Sequence, residues 1–193
     1  MAEIKAEISD LVGQVKPLDQ KEREHIQAVL EWIASGVEIF RIEKPATPSQ
    51  HLVSYSVLVD RKKKKVLLLD HRKALKLLPG GGHVNKDELP FETAKRELAE
   101  ELGIEAKPLF ANVEVPFFVT IMETVGLTAG HLDVDLWYVF EGDSEIKIND
   151  ETDEFKREFA GYHWLGFDEI LSRPIEALDT HMHRFIEKLK NYL

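Results

Sequence analysis

The chain has 193 residues, of which 44% are hydrophobic and 31% are charged, and its formal net charge is −10. This composition suits one globular domain with an appended segment, and the acidic surface disfavours duplex nucleic acid as the main partner. The absence of cysteine excludes disulfides, thiolate metal ligands and cysteine nucleophiles. The charged start and the lack of a long apolar run predict a cytoplasmic protein without a membrane-spanning helix.

The N-terminal part of the chain is typical of helical structure. Apolar residues recur at helical spacing between residues 22 and 34, and Gly36 predicts a stop. Residues 44–49 include two prolines and predict a linker. We therefore expect a helical extension with its linker, residues 1–44, and a main domain, residues 45–193. Three roles for the extension stay open: covering a sheet edge, pairing two subunits in a homodimer, or closing a site.

The main domain alternates between strand-like and helical patterns. Residues 51–60 and 65–70 predict a hairpin around a basic turn. A glycine-rich loop and a helix from Pro90 follow. Further strands are predicted at 111–124, 132–141 and 161–165, with an acidic loop at 142–152, a short helix from residue 168 and a last helix at 178–193. This order of elements predicts an α/β layer fold around a mixed sheet.

Residues 80–104, GGGHVNKDELPFETAKRELAEELGI, join three glycines to an acidic helix. At 100° per residue, Glu97, Glu100 and Glu101 fall on one stripe, offset from the apolar stripe that faces the core. Like charges at this spacing cost about 0.2–0.5 kcal/mol per pair. Three converging carboxylates suit a hard divalent cation such as Mg²⁺ or Mn²⁺. From the helix alone, a solvent-exposed charged face is the alternative.

The wider spacing resembles a known family motif. Gly82 is followed after five residues by Glu88, and after seven more by residues 96–104, RELAEELGI. This pattern is similar to the Nudix box, G-x5-E-x7-R-E-U-x-E-E-x-G-U with U aliphatic, at every defined position. The resemblance implies the Nudix fold, an α/β/α sandwich around a mixed sheet. It also implies a Mg²⁺- or Mn²⁺-dependent pyrophosphohydrolase that uses metal-activated water on a nucleoside diphosphate derivative or another small diphosphate.

The resemblance also implies roles for individual box residues. Glu97, Glu100 and Glu101 would ligate the cation, with Glu88 supporting the metal site from the loop. Arg96 would hold these carboxylates by charge-assisted hydrogen bonds.

The general base is left open by the sequence. Glu100 or Glu101 can stand near the attacking water, but in this family a carboxylate on a later loop sometimes serves. Of the acidic residues in 150–158, Glu154 and Glu158 are favoured because they approach the next predicted strand.

Several residues near the box are candidates for binding substrate. Arg72 and Lys73 precede the glycine-rich loop, where phosphates are expected to arrive. The backbone of Gly81 and Gly82 can approach a phosphate, and the following His83 can contact a phosphate or water. Asp133 and Asp135 alternate with apolar residues on a predicted strand, so they share one face, which either lines a pocket or is exposed.

Two other functions are compatible with a Nudix-like sequence. A non-catalytic nucleotide-sensing or partner-binding module is one, although the complete set of acidic box residues favours an enzyme. An isomerase acting on an isoprenoid diphosphate is the other, and the absence of cysteine counts against it.

Overall fold

The computed structural model describes residues 2–44, 46–124, 127 and 130–193. The helices in this part of the chain are α1 Ala2–Gly13, α2 Gln20–Ala34, α3 Pro90–Leu102, α4 Asp153–Glu158, α5 Phe167–Ser172 and α6 Met182–Lys190. The strands are β1 Gln50–Asp60, β2 Lys65–His71, β3 Lys76–Leu78, β4 Gly80–His83, β5 Phe118–Glu123, β6 Leu132–Glu141 and β7 Phe159–Gly166. None of the described helices is long and apolar enough to cross a membrane.

The strands form one mixed sheet of seven strands. Its main path runs β3-β2-β1-β6-β5, while β4 pairs with β1 and β7 pairs with β2. β1 and β6 are parallel, and their register places His51 opposite Asp133. β4 runs antiparallel to β1 and places His83 opposite Val53. Residues opposite each other share a face, so polar side chains from β1, β4 and β6 meet on one face of the sheet.

Helices cover both faces of the sheet. On one face, buried residues of α1, α2 and α3, such as Ile8 and Leu98, pack with Leu136 of β6. On the other face, residues of α5 and α6, such as Phe185, pack with Trp137. Alternation along β6 sends Leu136 and Trp137 into opposite cores. This arrangement confirms the predicted α/β/α sandwich with additional N-terminal helices.

The N-terminal helix α2 packs against β5, which lies at the end of the main strand path. Glu22 Oε1 accepts a hydrogen bond from the Val119 amide at 3.3 Å. His25 Nδ1 accepts another from the Ile121 amide at 3.3 Å. These contacts satisfy amides that an edge strand otherwise exposes, which matches the edge-covering role of the extension. The division at residue 45 and the homodimer stay predictions.

Four predicted segments differ from the structure. The predicted glycine-rich loop contains strand β4, Gly80–His83, which pairs with β1. Residues 111–124 are regular only within β5, because Pro116 cannot donate to a strand ladder. The last helix begins at Met182 rather than residue 178, because Leu178 is extended after the 3₁₀ turn Ile175–Ala177. The acidic stretch after residue 152 contains α4, which the sequence analysis did not predict. Pro45 of the predicted linker lies outside the described residues.

Candidate active site

Helix α3 presents acidic side chains to strand β4. The helix begins at Pro90, whose missing N–H is tolerated in the first turn. It ends at Gly103, which has the left-handed φ of 66°. Leu98 is buried in the core beneath the helix, and this docking turns Glu97 and Glu101 toward the glycines of β4.

The glycines of β4 make room for these carboxylates. A Cβ atom on Gly80 would lie 2.8 Å from Glu101 Oε2, and one on Gly82 would collide with the Glu97 carboxylate. Gly81 has a φ of +149°, and a side chain there would collide with the Ser54 carbonyl. Glycine is therefore required at β4 chiefly because α3 carboxylates and the β1 backbone approach it so closely.

Two of the three box carboxylates on α3 are largely withdrawn from water. Glu101 is 9% exposed and the Glu97 side chain 15%, whereas the Glu100 side chain is 57% exposed. Burial raises the pKa of Glu101 well above its ordinary value, and the negative charge of Glu97 adds to the effect. Burial also raises the pKa of Glu97, although hydrogen bonding from Arg96 acts in the opposite direction. Buried anions this close together favour either protonation or a bound cation.

Arg96 organises the outer side of the same cluster. Its guanidinium donates to both oxygens of Glu88, with Nε 2.9 Å from Oε1 and Nη2 3.1 Å from Oε2. Nη1 donates to Glu97 Oε1 at 2.7 Å and lies 3.3 Å from Glu100 Oε2. The hydrogen bond to Glu88 is the main cause that raises the pKa of Arg96. Arg96 thus restrains three of the four predicted acidic ligands, and the bidentate fork ties Glu88 to it most firmly.

The donor set of this cluster fits a hard divalent cation. The atoms that converge on β4 are carboxylate oxygens, which Mg²⁺ and Mn²⁺ prefer. Glu101 Oε2 accepts a hydrogen bond from the Gly81 amide, at 3.1 Å. Arg96 neutralises only part of the negative charge of Glu88, Glu97, Glu100 and Glu101. Glu97, Glu100 and Glu101 are therefore suited to hold the cation, with Glu88 acting through Arg96.

The two predicted later carboxylates lie on α4 and differ in position. Glu158 is half-buried, and its negative charge contributes to the raised pKa of both Glu97 and Glu101. Glu154 is exposed. Glu158 is thus the one of this pair whose charge acts on the box carboxylates.

The two predicted phosphate-binding cations have different surroundings. Arg72 Nε donates to the carbonyls of Lys156 and Phe159, both at 2.9 Å, and therefore fixes the junction between α4 and β7. Lys73 is exposed, and its carbonyl accepts a hydrogen bond from the Leu127 amide at 2.9 Å. Arg72 thus positions the segment that carries Glu158. A contact of Arg72 or Lys73 with substrate stays a prediction.

The predicted polar face of β6 lines a buried region. Asp135 is fully buried, and its Oδ2 accepts a hydrogen bond from Thr120 Oγ1 at 3.1 Å. Burial raises the pKa of Asp135 well above its ordinary value, and the charges of Asp133 and Asp179 act in the same direction. Burial also raises the pKa of Asp179 to about 6. Asp135 is therefore not exposed, and contact of Asp133 or Asp135 with substrate stays a prediction.

His83 connects this polar face to the acidic cluster through Arg41. Arg41 Nη1 donates to His83 Nε2 at 3.1 Å, and the guanidinium interacts electrostatically with Asp133 and Glu97. Burial, followed by the charge of Arg41, lowers the pKa of His83 to about 3, so its imidazole is neutral. Arg41 and His83 therefore link the box carboxylates to Asp133 through polar interactions.

Three residues of this polar region were not predicted from the sequence: Arg41, His51 and Asp179. Arg41 stands outside the predicted main domain, and Asp179 was taken as part of a helix. His51 begins a strand with an ordinary alternating pattern. The only available signal was that His51 and Tyr55 share a strand face, because the long-range parallel pairing that brings His51 to Asp133 leaves no local mark.

Comparison with known proteins assigns the family. A family model for the NUDIX domain matches residues 50–189. The chain belongs to the NUDIX family. The predicted Nudix resemblance is thereby confirmed.

Individual relatives are similar at modest identity. An RNA pyrophosphohydrolase of Bartonella henselae is 34% identical over 102 residues, which cover 49% of this chain and 58% of that protein. A probable DHNTP pyrophosphohydrolase of Lactococcus lactis is 26% identical over 77% of this chain and 94% of that protein. The crystal structure of a NUDIX-family hydrolase from Clostridium perfringens superposes with a TM-score of 0.53 at 23% identity. That superposition covers 74% of this chain and 98% of the Clostridium chain, and it shows the shared fold.

Proposed function

We propose that this protein is a Mg²⁺- or Mn²⁺-dependent pyrophosphohydrolase acting on a small nucleotide-like diphosphate or triphosphate. The observation that carries the proposal is that Glu101 is buried and Glu97 is largely buried against glycines that have no side chain to displace them. A purely structural helix face has no need for two buried, mutually repelling carboxylates. A bound divalent cation removes that repulsion and accounts for the glycines at the same time.

The chemistry follows from the positions of the chain's own groups. When bound, a divalent cation neutralises pyrophosphate oxygens and lowers the pKa of a coordinated water. Glu97, Glu100 and Glu101 would hold the cation, and Arg96 keeps Glu97 and Glu100 in place. The Ser54 carbonyl and the Glu97 carboxylate fill the Cβ positions of Gly81 and Gly82, so contact of a phosphate with this backbone stays a prediction.

Glu158 is the base that we assign to the attacking water. It is half-buried on α4, and its charge acts on the box carboxylates, while Arg72 fixes the backbone around it. Glu158→Gln is expected to lower kcat by about 10²–10⁴-fold, the usual contribution of a general base. Glu154→Gln is the matched control on the same helix and is expected to retain activity. Equal loss in both variants, or in neither, would remove Glu158 from this role.

The polar residues on the same sheet face as His83 are suited to the organic part of the substrate. Its buried side chains offer hydrogen-bonding groups of defined polarity: Asp135 and Asp179 with raised pKa values, and the phenol of Tyr55. A nucleobase or another nitrogen heterocycle presents matching donors and acceptors. The net charge of −10 favours a small substrate over an extended polyanion.

A second candidate substrate is the 5′ triphosphate end of RNA. It is favoured by the Bartonella relative, which is named an RNA pyrophosphohydrolase. Only the terminal nucleotide has to enter the cleft, so an acidic surface elsewhere does not prevent this reaction.

The test is a hydrolysis screen with product identification. Nucleoside triphosphates, dinucleotides, nucleotide sugars, dihydroneopterin triphosphate and 5′-triphosphate RNA are incubated with the protein and Mg²⁺, and the released products are separated. We expect cation-dependent release of phosphate, pyrophosphate or a nucleoside monophosphate, which is lost in Glu101→Gln and kept in Glu92→Gln. Thermal stabilisation by a nucleotide without turnover of any compound would instead indicate a non-catalytic sensor.

A further inference from the structure

A cluster of three histidines and one aspartate lies on the polar face of the sheet, apart from the acidic box. One ligand atom from each of His51, His83, His131 and Asp133 lies within 4.8 Å of the others. We propose that His51, His131 and Asp133, with His83 as the fourth ligand, bind a divalent transition-metal ion of the zinc class. This site is additional to the carboxylate cluster of α3 and does not rest on the proposed hydrolysis.

The hydrogen bonds around the two imidazoles fix which nitrogen faces the cluster. His51 Nδ1 lies 2.8 Å from the Pro48 carbonyl, which can only accept, so Nδ1 carries the hydrogen. His131 Nδ1 lies 3.1 Å from Thr124 Oγ1, and that hydroxyl lies 3.2 Å from the His131 carbonyl. The hydroxyl can thus take the Nδ1 hydrogen and donate its own to the carbonyl. In the neutral rings, both Nε2 atoms then carry lone pairs, and both rings have the backing hydrogen bond that metal-bound histidines use.

These lone pairs converge on a carboxylate oxygen. Asp133 Oδ1 lies 3.3 Å from His51 Nε2 and 3.3 Å from His131 Nε2. Neither His51 Nε2 nor Asp133 Oδ1 has a hydrogen-bond partner of acceptable geometry among the described residues, although both atoms are buried. Three acceptors that face one another without a donor are unfavourable. A cation between them removes the conflict.

The spacing of the ligand atoms fits a bound metal ion. A zinc ion takes ligands at about 2.0–2.2 Å in a tetrahedron, which places neighbouring ligand atoms about 3.3–3.6 Å apart. Both measured separations, 3.3 Å, match that value. If only one of the two imidazoles is protonated, it donates to Asp133 Oδ1. The Nε2 lone pair of the other imidazole still faces the same oxygen. The metal satisfies all three atoms together.

The ligand chemistry selects a different ion from that of the acidic box. Imidazole nitrogen suits Zn²⁺, Co²⁺ and Ni²⁺, whereas Mg²⁺ prefers oxygen ligands. His83 Nε2 accepts a hydrogen bond from Arg41 Nη1 in this structure. Arg41 and a metal ion therefore compete for His83, and Arg41 also faces Glu97 electrostatically. The proposed ion thus joins the starts of β1 and β6 with the end of β4.

Metal titration tests this site without reference to catalysis. Zn²⁺ is titrated calorimetrically into the full chain in excess Mg²⁺, and Co²⁺ binding is followed by its visible absorption. We expect one tightly bound Zn²⁺ per chain and a Co²⁺ spectrum typical of tetrahedral nitrogen and oxygen ligation. His131→Gln and Asp133→Asn are expected to weaken binding at least 10-fold, while His163→Gln, an exposed histidine on β7, leaves it unchanged.

Two further measurements keep the test decisive. The melting temperature in chelator shows whether each variant still folds, and Zn²⁺ should raise that temperature in the unmodified chain but not in His131→Gln. Glu97→Gln/Glu101→Gln should retain the zinc site, because its ligands lie elsewhere. Absence of stoichiometric Zn²⁺ binding, binding that survives His131→Gln and Asp133→Asn, or binding lost only in the double carboxylate variant would each overturn the proposal.

Discussion

At the scale of single residues, Glu101 is the most buried of the four box carboxylates and is the one that Arg96 does not contact. Its carboxylate is 9% exposed, receives an amide hydrogen bond from Gly81 and is opposed by the charge of Glu97. The proposed cation would offset both the burial of this carboxylate and its repulsion from Glu97. The same arrangement has a measurable effect on the metal-free protein.

Glu101→Gln should stabilise the metal-free protein at neutral pH. Because the pKa of Glu101 is raised on folding, the folded state holds its proton more tightly than the unfolded state does. The free energy of unfolding therefore falls as pH rises from the ordinary value of 4.5 through the raised pKa. Chemical denaturation in chelator should show this fall in the unmodified chain and a smaller one in Glu101→Gln. Glu92→Gln, an exposed change on the same helix, should follow the unmodified chain; a Glu101→Gln curve that does so too would contradict the assignment.

Gly82→Ala should weaken cation binding about 10-fold or more, because its Cβ takes the space of the Glu97 carboxylate. Gly161→Ala is the matched control, since a Cβ there meets nothing within 4 Å. Mn²⁺ binding measured by electron paramagnetic resonance separates the two variants. Unchanged affinity in Gly82→Ala would show that Glu97 is not a ligand.

The sequence could predict the box residues because their relations are local. Glu97, Glu100 and Glu101 are brought together by the helical repeat alone, and the fixed loop spacing adds Glu88. Arg41, His51 and Asp179 could not be predicted, since they converge through strand pairing and a turn far apart in the chain. The nearness of Glu158 to the box likewise depends on α4, a short helix without a long periodic pattern.

At the scale of elements, the N-terminal helices belong to the same core as the sheet and α3. Residues Ile8, Val12, Val29 and Ile33 are buried in that core. Glu22 of α2 forms a buried ion pair with Lys188 of α6 at 2.6 Å. The helical extension was predictable from its apolar spacing, but its attachment to the end strand was not, because the contacts of α2 with β5 link residues about 95 positions apart.

Lys188→Met should lower the free energy of unfolding by about 3–5 kcal/mol, because it leaves the Glu22 carboxylate buried without its partner. The double change Glu22→Met/Lys188→Met should cost less than the single change if the two apolar side chains pack. Arg173→Met breaks an exposed ion pair with Glu169 and should cost at most about 1 kcal/mol. Urea denaturation gives all three values. Equal costs for Lys188→Met and Arg173→Met would show that the pair does not anchor the N-terminal helices.

At the scale of the whole molecule, two neighbouring groups oppose each other in the response to acid. Burial lowers the pKa of His181 to about 4 from 6.5, so its contribution to stability is lost as pH falls through this window. Burial raises the pKa of Asp179 to about 6 from 3.8, so its contribution grows as pH falls over nearly the same window. The Asp179 Oδ1 atom accepts the His181 amide at 2.7 Å, which keeps the two groups together.

In Asp179→Asn, the free energy of unfolding should fall more steeply as pH drops from 6 to 4. The slope should increase by up to about 1.4 kcal/mol per pH unit. The amide oxygen of Asn keeps the hydrogen bond from His181, so the turn is preserved. His181→Gln should change the slope in the opposite direction. Denaturation curves at a series of pH values provide the test, and parallel pH profiles for the two variants would contradict the assigned shifts.

In the molecule as a whole, the carboxylates of α3 lie on one side of β4, and the cluster of three histidines and Asp133 lies on the other side. The proposed role of the α3 carboxylates is to hold the divalent cation for pyrophosphate hydrolysis. Mn²⁺ titration monitored by electron paramagnetic resonance, with the histidine cluster saturated by Zn²⁺, examines this role. Mn²⁺ should bind the unmodified chain and Glu92→Gln but not Glu97→Gln/Glu101→Gln; undiminished Mn²⁺ binding in that double variant would show that these carboxylates do not hold the cation.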